Sequence, residues 1–336
     1  MMRTRSFGLL LAAGLWVSSL LPTTFDASAP VQAQAVAGRI VAPANRQLAV
    51  LDLLAPRPRL LTSFEQPAYV TDVGVSPGGG LAVVAVARPF GEGGAIGGDL
   101  VRVDLASSQT ATLMSRSDAS ESLAAPVWTV DARAVVFERQ DRAGPGIGFP
   151  GAASVAFPTR IETVAPDGSG RAVLVDDGRQ PAPAPDGSGI AFLRTSEQGT
   201  ALLFRSLSDA SDRVLVDFGP FRDLASPRYS PDGDRLAFMA PGVFNGHVPF
   251  GYALLAPGVA WAHGLPWDLW VIRADGSDLH LLAQVGADDG TLAWSPDGSQ
   301  LFIYGGTGSF VVDADSGDAT PLTYVSGYGT IAWLPG

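Results

Sequence analysis

The sequence contains no cysteine, no lysine and only three histidines. Without cysteine there is no disulfide, no thiolate nucleophile and no Cys-ligated metal. Without lysine there is no Schiff-base or lysine-base chemistry. All 22 basic side chains are therefore arginine, set against 33 acidic ones for a formal net charge of −11. A chain this acidic repels phosphate backbones, which excludes nucleic acid as a partner. Beyond Leu21 no run reaches 18 apolar residues, so no later segment has the length of a membrane-spanning helix.

What is abundant is glycine (40) and proline (26), in a chain of 336 residues that is 46% apolar. Both residues punctuate turns and interrupt helices, which points to a turn-rich all-β protein with a sizeable core. The N-terminus reads as an export signal. Arg3 and Arg5 precede an uncharged apolar run of 15 residues, Phe7 to Leu21, and Ala33-Gln34-Ala35 offers a small-residue cleavage site. Residues 1–35 are accordingly the expected signal peptide and 36–336 the mature domain, in the periplasm or outside the cell. The alternative is an uncleaved N-terminal anchor, which would be the protein's sole attachment to a membrane and could tie it to a larger assembly.

The short phrase Ser-Pro-Asp-Gly organises the rest. Pro227 to Ala240 reads PRYSPDGDRLAFMA and Leu292 to Gly305 reads LAWSPDGSQLFIYG. Related copies start at Val75, Trp128 and Pro183, and a sixth begins at Trp333. Steps between copies run from 39 residues (294 to 333) to 65 (229 to 294), the range of a four-stranded propeller blade with variable loops. The motif is a hairpin turn: Pro presets one φ, Asp bonds onward to backbone N–H groups, and Gly supplies a positive φ. Apolar second strands follow at Leu81 to Val86, Ala134 to Phe137, Ile190 to Leu193, Leu236 to Met239 and Leu301 to Tyr304. Each copy then yields a third and a fourth strand separated by a polar turn. The early chain, Gly38 to Ser63, reads as strands two to four of a blade, and Gly329 to Trp333 as a first strand alone. Pairing them gives an all-β, six-bladed β-propeller whose N- and C-terminal strands close one blade, leaving no free sheet edge.

The pattern aromatic-SPDG-x-x-apolar-A-F, with an apolar third strand, a D-x-(D/S)-G turn and a Leu-Thr-like fourth strand, resembles the TolB-type β-propeller repeat. The resemblance covers Gly38 to Gly336. It is fullest at Tyr229 to Phe238 and Trp294 to Ile303, and it is degraded where Gly78 replaces Asp and where Val130 replaces Pro. It implies an exported propeller. The roughly 35 residues ahead of the first blade leave no room for the additional N-terminal α/β domain of TolB, so the TolB role in an envelope complex is not carried over.

Three long connections between second and third strands should rise from one rim: Arg88 to Asp99, Arg139 to Thr159 and Ala240 to Trp267. The candidate partner-binding side chains are Phe90 on the first, Phe149 and Phe157 on the second, and Phe244, His247, Phe250, Tyr252, Trp261, His263 and Trp267 on the third. The third connection has no charge before Asp268. Either it folds over the channel mouth and buries its aromatics, or it presents them to a partner. His247 and His263 are too few for a metal centre, since the remaining His280 lies in an outer strand. Asp313-Ala-Asp315-Ser-Gly317-Asp318 resembles the start of a calcium loop but has Tyr324 where the closing Glu belongs, and it falls at a blade turn. No nucleophile elbow or phosphate loop occurs. No catalytic, cofactor or metal residue is assigned.

The expected function is an exported, non-enzymatic module that binds an envelope or extracellular protein through its long loops. The alternative is a small-molecule or carbohydrate binder, or a hydrolase or lyase, using polar groups at the channel mouth such as Arg88, Glu92, Arg139, Asp141, Arg142 and His247. N-terminal sequencing of the exported protein should begin at Val36; a protein retaining Met1 would establish the uncleaved anchor instead.

Overall fold

The computed structural model describes residues 37–55, 57–92, 94–143, 147–148, 155–241, 266–322 and 324–335. The expected leader therefore lies outside the described residues, as do Phe149, Phe244, His247, Phe250, Tyr252, Trp261 and His263. Among the described residues there is no helix, and the strands form six antiparallel four-stranded sheets plus a two-residue ribbon, Ile147–Gly148 with Val155–Ala156. Each sheet is a blade. The innermost strands are Tyr69–Val75 in blade 1, Glu121–Trp128 in blade 2, Arg179–Pro183 in blade 3, Ala225–Tyr229 in blade 4, Thr291–Trp294 in blade 5 and Ala332–Trp333 in blade 6. They touch one another in cyclic order. Blade 6 joins both ends of the chain: Trp333 pairs with Ile40 and Ala332 with Val41, and the Leu334 N–H donates to the Arg39 carbonyl at 2.8 Å. The expected closure is the observed one.

The core has no single centre. Among the described residues it divides into six clusters, one between each pair of neighbouring blades. Second strands are buried on both faces, which is why they read as continuous apolar runs. Between blades 3 and 4, Phe221 meets Trp270 and Phe238 edge-on at centroid distances of 4.9 and 5.8 Å.

Each residue of the SPDG phrase has a visible task. In the copies at Ser230 and Ser295 the serine hydroxyl donates to Asp232 or Asp297, and accepts from the backbone N–H of Arg235 or Gln300 across the turn. The degraded copy keeps the same bonds with Thr129 and Asp131. The closing residue sits at positive φ in every turn: Gly79 +69°, Gly187 +72°, Gly233 +81°, Gly298 +72° and, without glycine, Ala132 +57°. The proline serves the next blade. A Cβ placed on Gly233, Gly298 or Gly79 would approach Pro185, Pro231 or Pro335 of the preceding copy at 3.6, 3.4 and 2.8 Å. The last of these carries the sixth copy against the first. Where Val130 replaces proline, nothing lies within 4 Å of the corresponding position on Gly187, and Val130 is 50% exposed. The aromatic residue before the phrase is a latch between blades: Trp128 Nε1 donates to the Gly74 carbonyl and Trp294 Nε1 to that of Arg228, at 3.2 and 3.1 Å.

One expected loop is shorter than the sequence suggests. Strands Leu81–Pro89 and Ile96–Asp104 take in Arg88 and Gly97 to Asp99, leaving only residues 90–95 as the connection. The glycines there mark close approach rather than a loop. A Cβ on Gly97 would lie 2.2 Å from Arg116 Nη1, and one on Gly98 2.1 Å from the Leu123 carbonyl oxygen of blade 2.

The turn geometry gives a paired test. Gly298→Ala forces a left-handed conformation on a side-chain-bearing residue and should cost about 1–2 kcal/mol in denaturant unfolding. Ala132→Gly should gain up to about 1 kcal/mol by relieving the same strain, less the entropy of a freer unfolded chain. Equal effects of the two changes would contradict the assignment.

Candidate functional site

The innermost strands carry a second repeat, four residues ahead of the turn serine position: Asp72, Ala125, Gln180, Ser226, Thr291 and Thr330. Strand ladders shift at this point in blades 1 to 4, and Ala125, Gln180 and Ser226 have positive φ. These are β-bulges, which release backbone groups from their own sheet. The freed groups bond to neighbouring blades. Gln180 N–H donates to Glu138 Oε2, Ser226 N–H to Gln180 Oε1, Leu292 N–H to Ser226 Oγ, Thr291 Oγ1 to the Gly329 carbonyl, and Val73 N–H to Thr330 Oγ1. The chain of bonds runs around the channel wall and breaks at Ala125, which has no polar side chain.

The charged residues expected at the channel mouth are engaged elsewhere. Arg88 pairs with Asp99 at 2.6 Å, while Arg139 and Arg171 both reach Glu121 Oε1, at 2.8 and 2.5 Å. Arg142 Nη1 donates to the Ile96 carbonyl, Asp141 caps the turn at Ala143, and Glu92 is exposed. Arg88 acts within blade 1 and Arg139 and Asp141 within blade 2, while the Arg142 bond joins the two blades. Burial alone would raise the Glu121 carboxyl. Hydrogen bonds from the Ser117 hydroxyl and N–H, then from Arg171 and Arg139, outweigh it and hold it down at about 2.

Of the aromatic candidates within the described residues, Phe90 is 39% exposed with the Arg116 guanidinium 5.4 Å from its ring centre, and Phe157 is 36% exposed. Trp267 opens the third strand of blade 4 and packs half-buried on the core between blades 4 and 5. Asp313 accepts from the N–H groups of Asp315 and Ser316 in a blade turn. Among the described residues no group of three His, Cys, Asp or Glu is placed to hold a metal ion, and no helix is long and apolar enough to cross a membrane.

A cavity of about 750 Å³ lies elsewhere, where blades 5, 6 and 1 meet around the closing seam. Tyr69, Tyr304, Tyr324 and Tyr328 line it, with Arg46 and Asp72. Four of the chain's six tyrosines are thus gathered here. Each ring is fixed. Tyr304 OH donates to the Pro43 carbonyl at 2.6 Å, and burial pushes this phenol up to about 12. Tyr324 OH donates to the Leu53 carbonyl at 2.7 Å and Tyr328 OH to Asp288 Oδ2 at 2.8 Å. The Arg46 guanidinium stands 4.8 Å from the centre of the Tyr69 ring. The loop Ser326-Gly-Tyr-Gly329 is shaped by its glycines. A Cβ on Gly327 would sit 2.0 Å from the Tyr304 hydroxyl, and Gly329 has φ +103° with the Thr71 carbonyl against it. Tyr324 and Tyr328 remain 45% and 51% exposed. Sequence reasoning missed this site. Its available signal was three tyrosines within residues 304–328, one of them between glycines just ahead of the closing strand.

The fold has solved counterparts. TolB from Acinetobacter baumannii superposes with a TM-score of 0.60 at 16% identity, covering 89% of this chain and 67% of that one. The putative TolB from Agrobacterium tumefaciens gives 0.58 at 15%, covering 83% and 95%. The chain has a TolB-type propeller fold. A puromycin-hydrolysing peptidase from Mycobacterium tuberculosis also matches, at 0.52 and 15% identity over 87% of this chain and 43% of that one. The TolB-type ring is thus shared by proteins of different activity. The chain matches no protein-family profile and no curated protein.

Glu121 sets an acid limit on this ring. Its folded pKa lies below the ordinary value of 4.5, so its contribution is present above that value and is lost as pH falls toward 2. The full contribution is roughly 3 kcal/mol for this nearly inaccessible group. Glu138, buried and shifted upward chiefly by desolvation, acts in the opposite sense. The difference in unfolding free energy between wild type and Glu121→Gln should therefore shrink between pH 5 and 2; a constant difference would contradict the assignment.

Proposed function

We propose that this protein is an exported, non-enzymatic propeller that binds another protein, and that the tyrosine-lined cavity at the blade 6 seam receives an anchoring side chain of that partner. The observation that carries this reading is the set of pinned tyrosines, two of them half-exposed. Tyrosine and arginine dominate binding hot spots because they offer large amphipathic area. Rings already held by hydroxyl bonds lose little freedom on binding. The likeness to TolB-type propellers is compatible with export and with a scaffold role. The long connections expected to rise from one rim, including the segment from Phe244 to His263, would then add contacts around the cavity.

A second reading, a small-molecule or carbohydrate binder, draws support from the cavity's size, which falls in the range of roughly 300–1,000 Å³ common for such ligands. The two readings separate by experiment. A photo-crosslinking side chain at position 324 should capture a specific protein from the envelope or surrounding medium, and one at exposed Leu207, in the turn between the third and fourth strands of blade 3, should not. With that partner purified, the Tyr324→Ala/Tyr328→Ala pair should weaken binding at least 30-fold, about 2 kcal/mol, with unchanged circular dichroism. Unaltered affinity in the pair would defeat the reading, and capture at both positions alike would remove its specificity.

A further inference from the structure

Arg228 lies on the innermost strand of blade 4, two residues ahead of the turn serine. The same place in the other blades holds Gly74, Val127, Ala182, Ala293 and Ala332. Blade 4 alone puts a charge where its counterparts keep small or aliphatic groups. The other buried or half-buried arginines, Arg102 excepted, have a carboxylate within 4 Å, among them Arg116 with Asp99, Arg139 with Glu121, Arg179 with Asp223 and Arg205 with Asp212; Arg102 bonds the Pro166 carbonyl and lies on a third strand, away from the innermost one. Arg228 has no such carboxylate among the described residues. Its one hydrogen bond there runs from Nη1 to the carbonyl of Pro227, 2.8 Å away, out of five available donors.

Arg228 sits on one of the six innermost strands, which ring the centre of the propeller. The residue as a whole is half-buried, and loss of water pushes its guanidinium pKa down to about 10. The charge opposing that shift is Asp72. Asp72 belongs to the innermost strand of blade 1, three blades away in a ring of six, so the two strands stand on opposite sides of the ring. Asp72 is already occupied, accepting from Thr71 Oγ1 at 3.0 Å and from the Thr330 N–H at 3.3 Å.

The geometry points to an anion subsite in the central channel, in which Arg228 takes the carboxylate of a ligand or of an inserted acidic side chain. A guanidinium with free, partly desolvated donors pairs with a carboxylate through two parallel bonds. The equivalent positions of the other blades supply no competing charge. The protein's net charge of −11 repels anions at long range, so binding should depend on this one side chain. The subsite goes beyond the cavity reading and does not rest on it.

Calorimetric titration tests it with two carboxylate probes, glutarate and an end-blocked Gly-Gly-Glu-Gly-Gly peptide, and with the Gln peptide as neutral control. At least one carboxylate probe should bind saturably at millimolar concentration or below, and the Gln peptide should not. Glutarate binding would indicate a free organic anion, and binding of the Glu peptide alone an acidic segment. Arg228→Gln should lower the affinity at least tenfold. Arg102→Gln, at a half-buried arginine bonded to the Pro166 carbonyl, should leave it unchanged, as should Tyr324→Ala/Tyr328→Ala. Arg228→Gln should also be no less stable than wild type, because it removes an enclosed cation without a carboxylate. Absence of saturable binding by both probes, equal affinity in Arg228→Gln, or a marked loss of its stability would overturn the assignment.

Discussion

The architecture depends on a seam two residues long. Ala332 and Trp333 supply the innermost strand of blade 6, and everything else in that blade comes from the other end of the chain. The pairing itself is slight, but it does not stand alone. Leu334 bonds back to Arg39, Pro335 lies against the Gly79 turn of blade 1, and the Trp333 ring covers Gly38, where a Cβ would come within 2.5 Å of it. Closing the ring gives each blade two neighbours. Because the core consists only of slabs between blades, a blade without a neighbour would leave one of its apolar faces in water.

The same seam explains why the cavity lies where it does. At the other junctions the chain passes from an outer strand to the next inner strand of a continuous hairpin array. At blades 5 and 6 the crossing must instead deliver the last strand against the first, and Val325 to Gly329 makes that crossing. Glycines at 327 and 329 allow the backbone to pass close to Tyr304 and Thr71, and Tyr328 between them is turned to Asp288. The aromatic lining is thus tied to the way the ring is shut.

The ring was legible in the sequence because its repeating parts are local. Ser, Asp and Gly act within six residues of one another, and an apolar strand follows directly. The degraded copy at Trp128 was still readable, since Thr129 and Asp131 keep the turn bonds while the missing proline affects only contact with the next blade. Gly97 and Gly98 misled because glycine is ambiguous in sequence: the same residue marks a loop or a close approach, and only Arg116 and Leu123, brought in from elsewhere, decide. The tyrosine cavity was not legible for a related reason. Tyr69 and Tyr304 are far apart in the chain and meet only through closure. The opposition of the Asp72 and Arg228 strands was hidden likewise, as nothing local to either residue announces that blades 1 and 4 stand opposite.

The seam also fixes how the molecule answers mechanical load. The first and last described strands are hydrogen-bonded partners, so tension drawn between the two ends of the ring bears on that junction before any other. Such a ring is weak against being pulled open by its own ends, because only two residue pairs hold that junction. A propeller tethered at one end only would never experience that load, whereas one held at both would behave as a clasp.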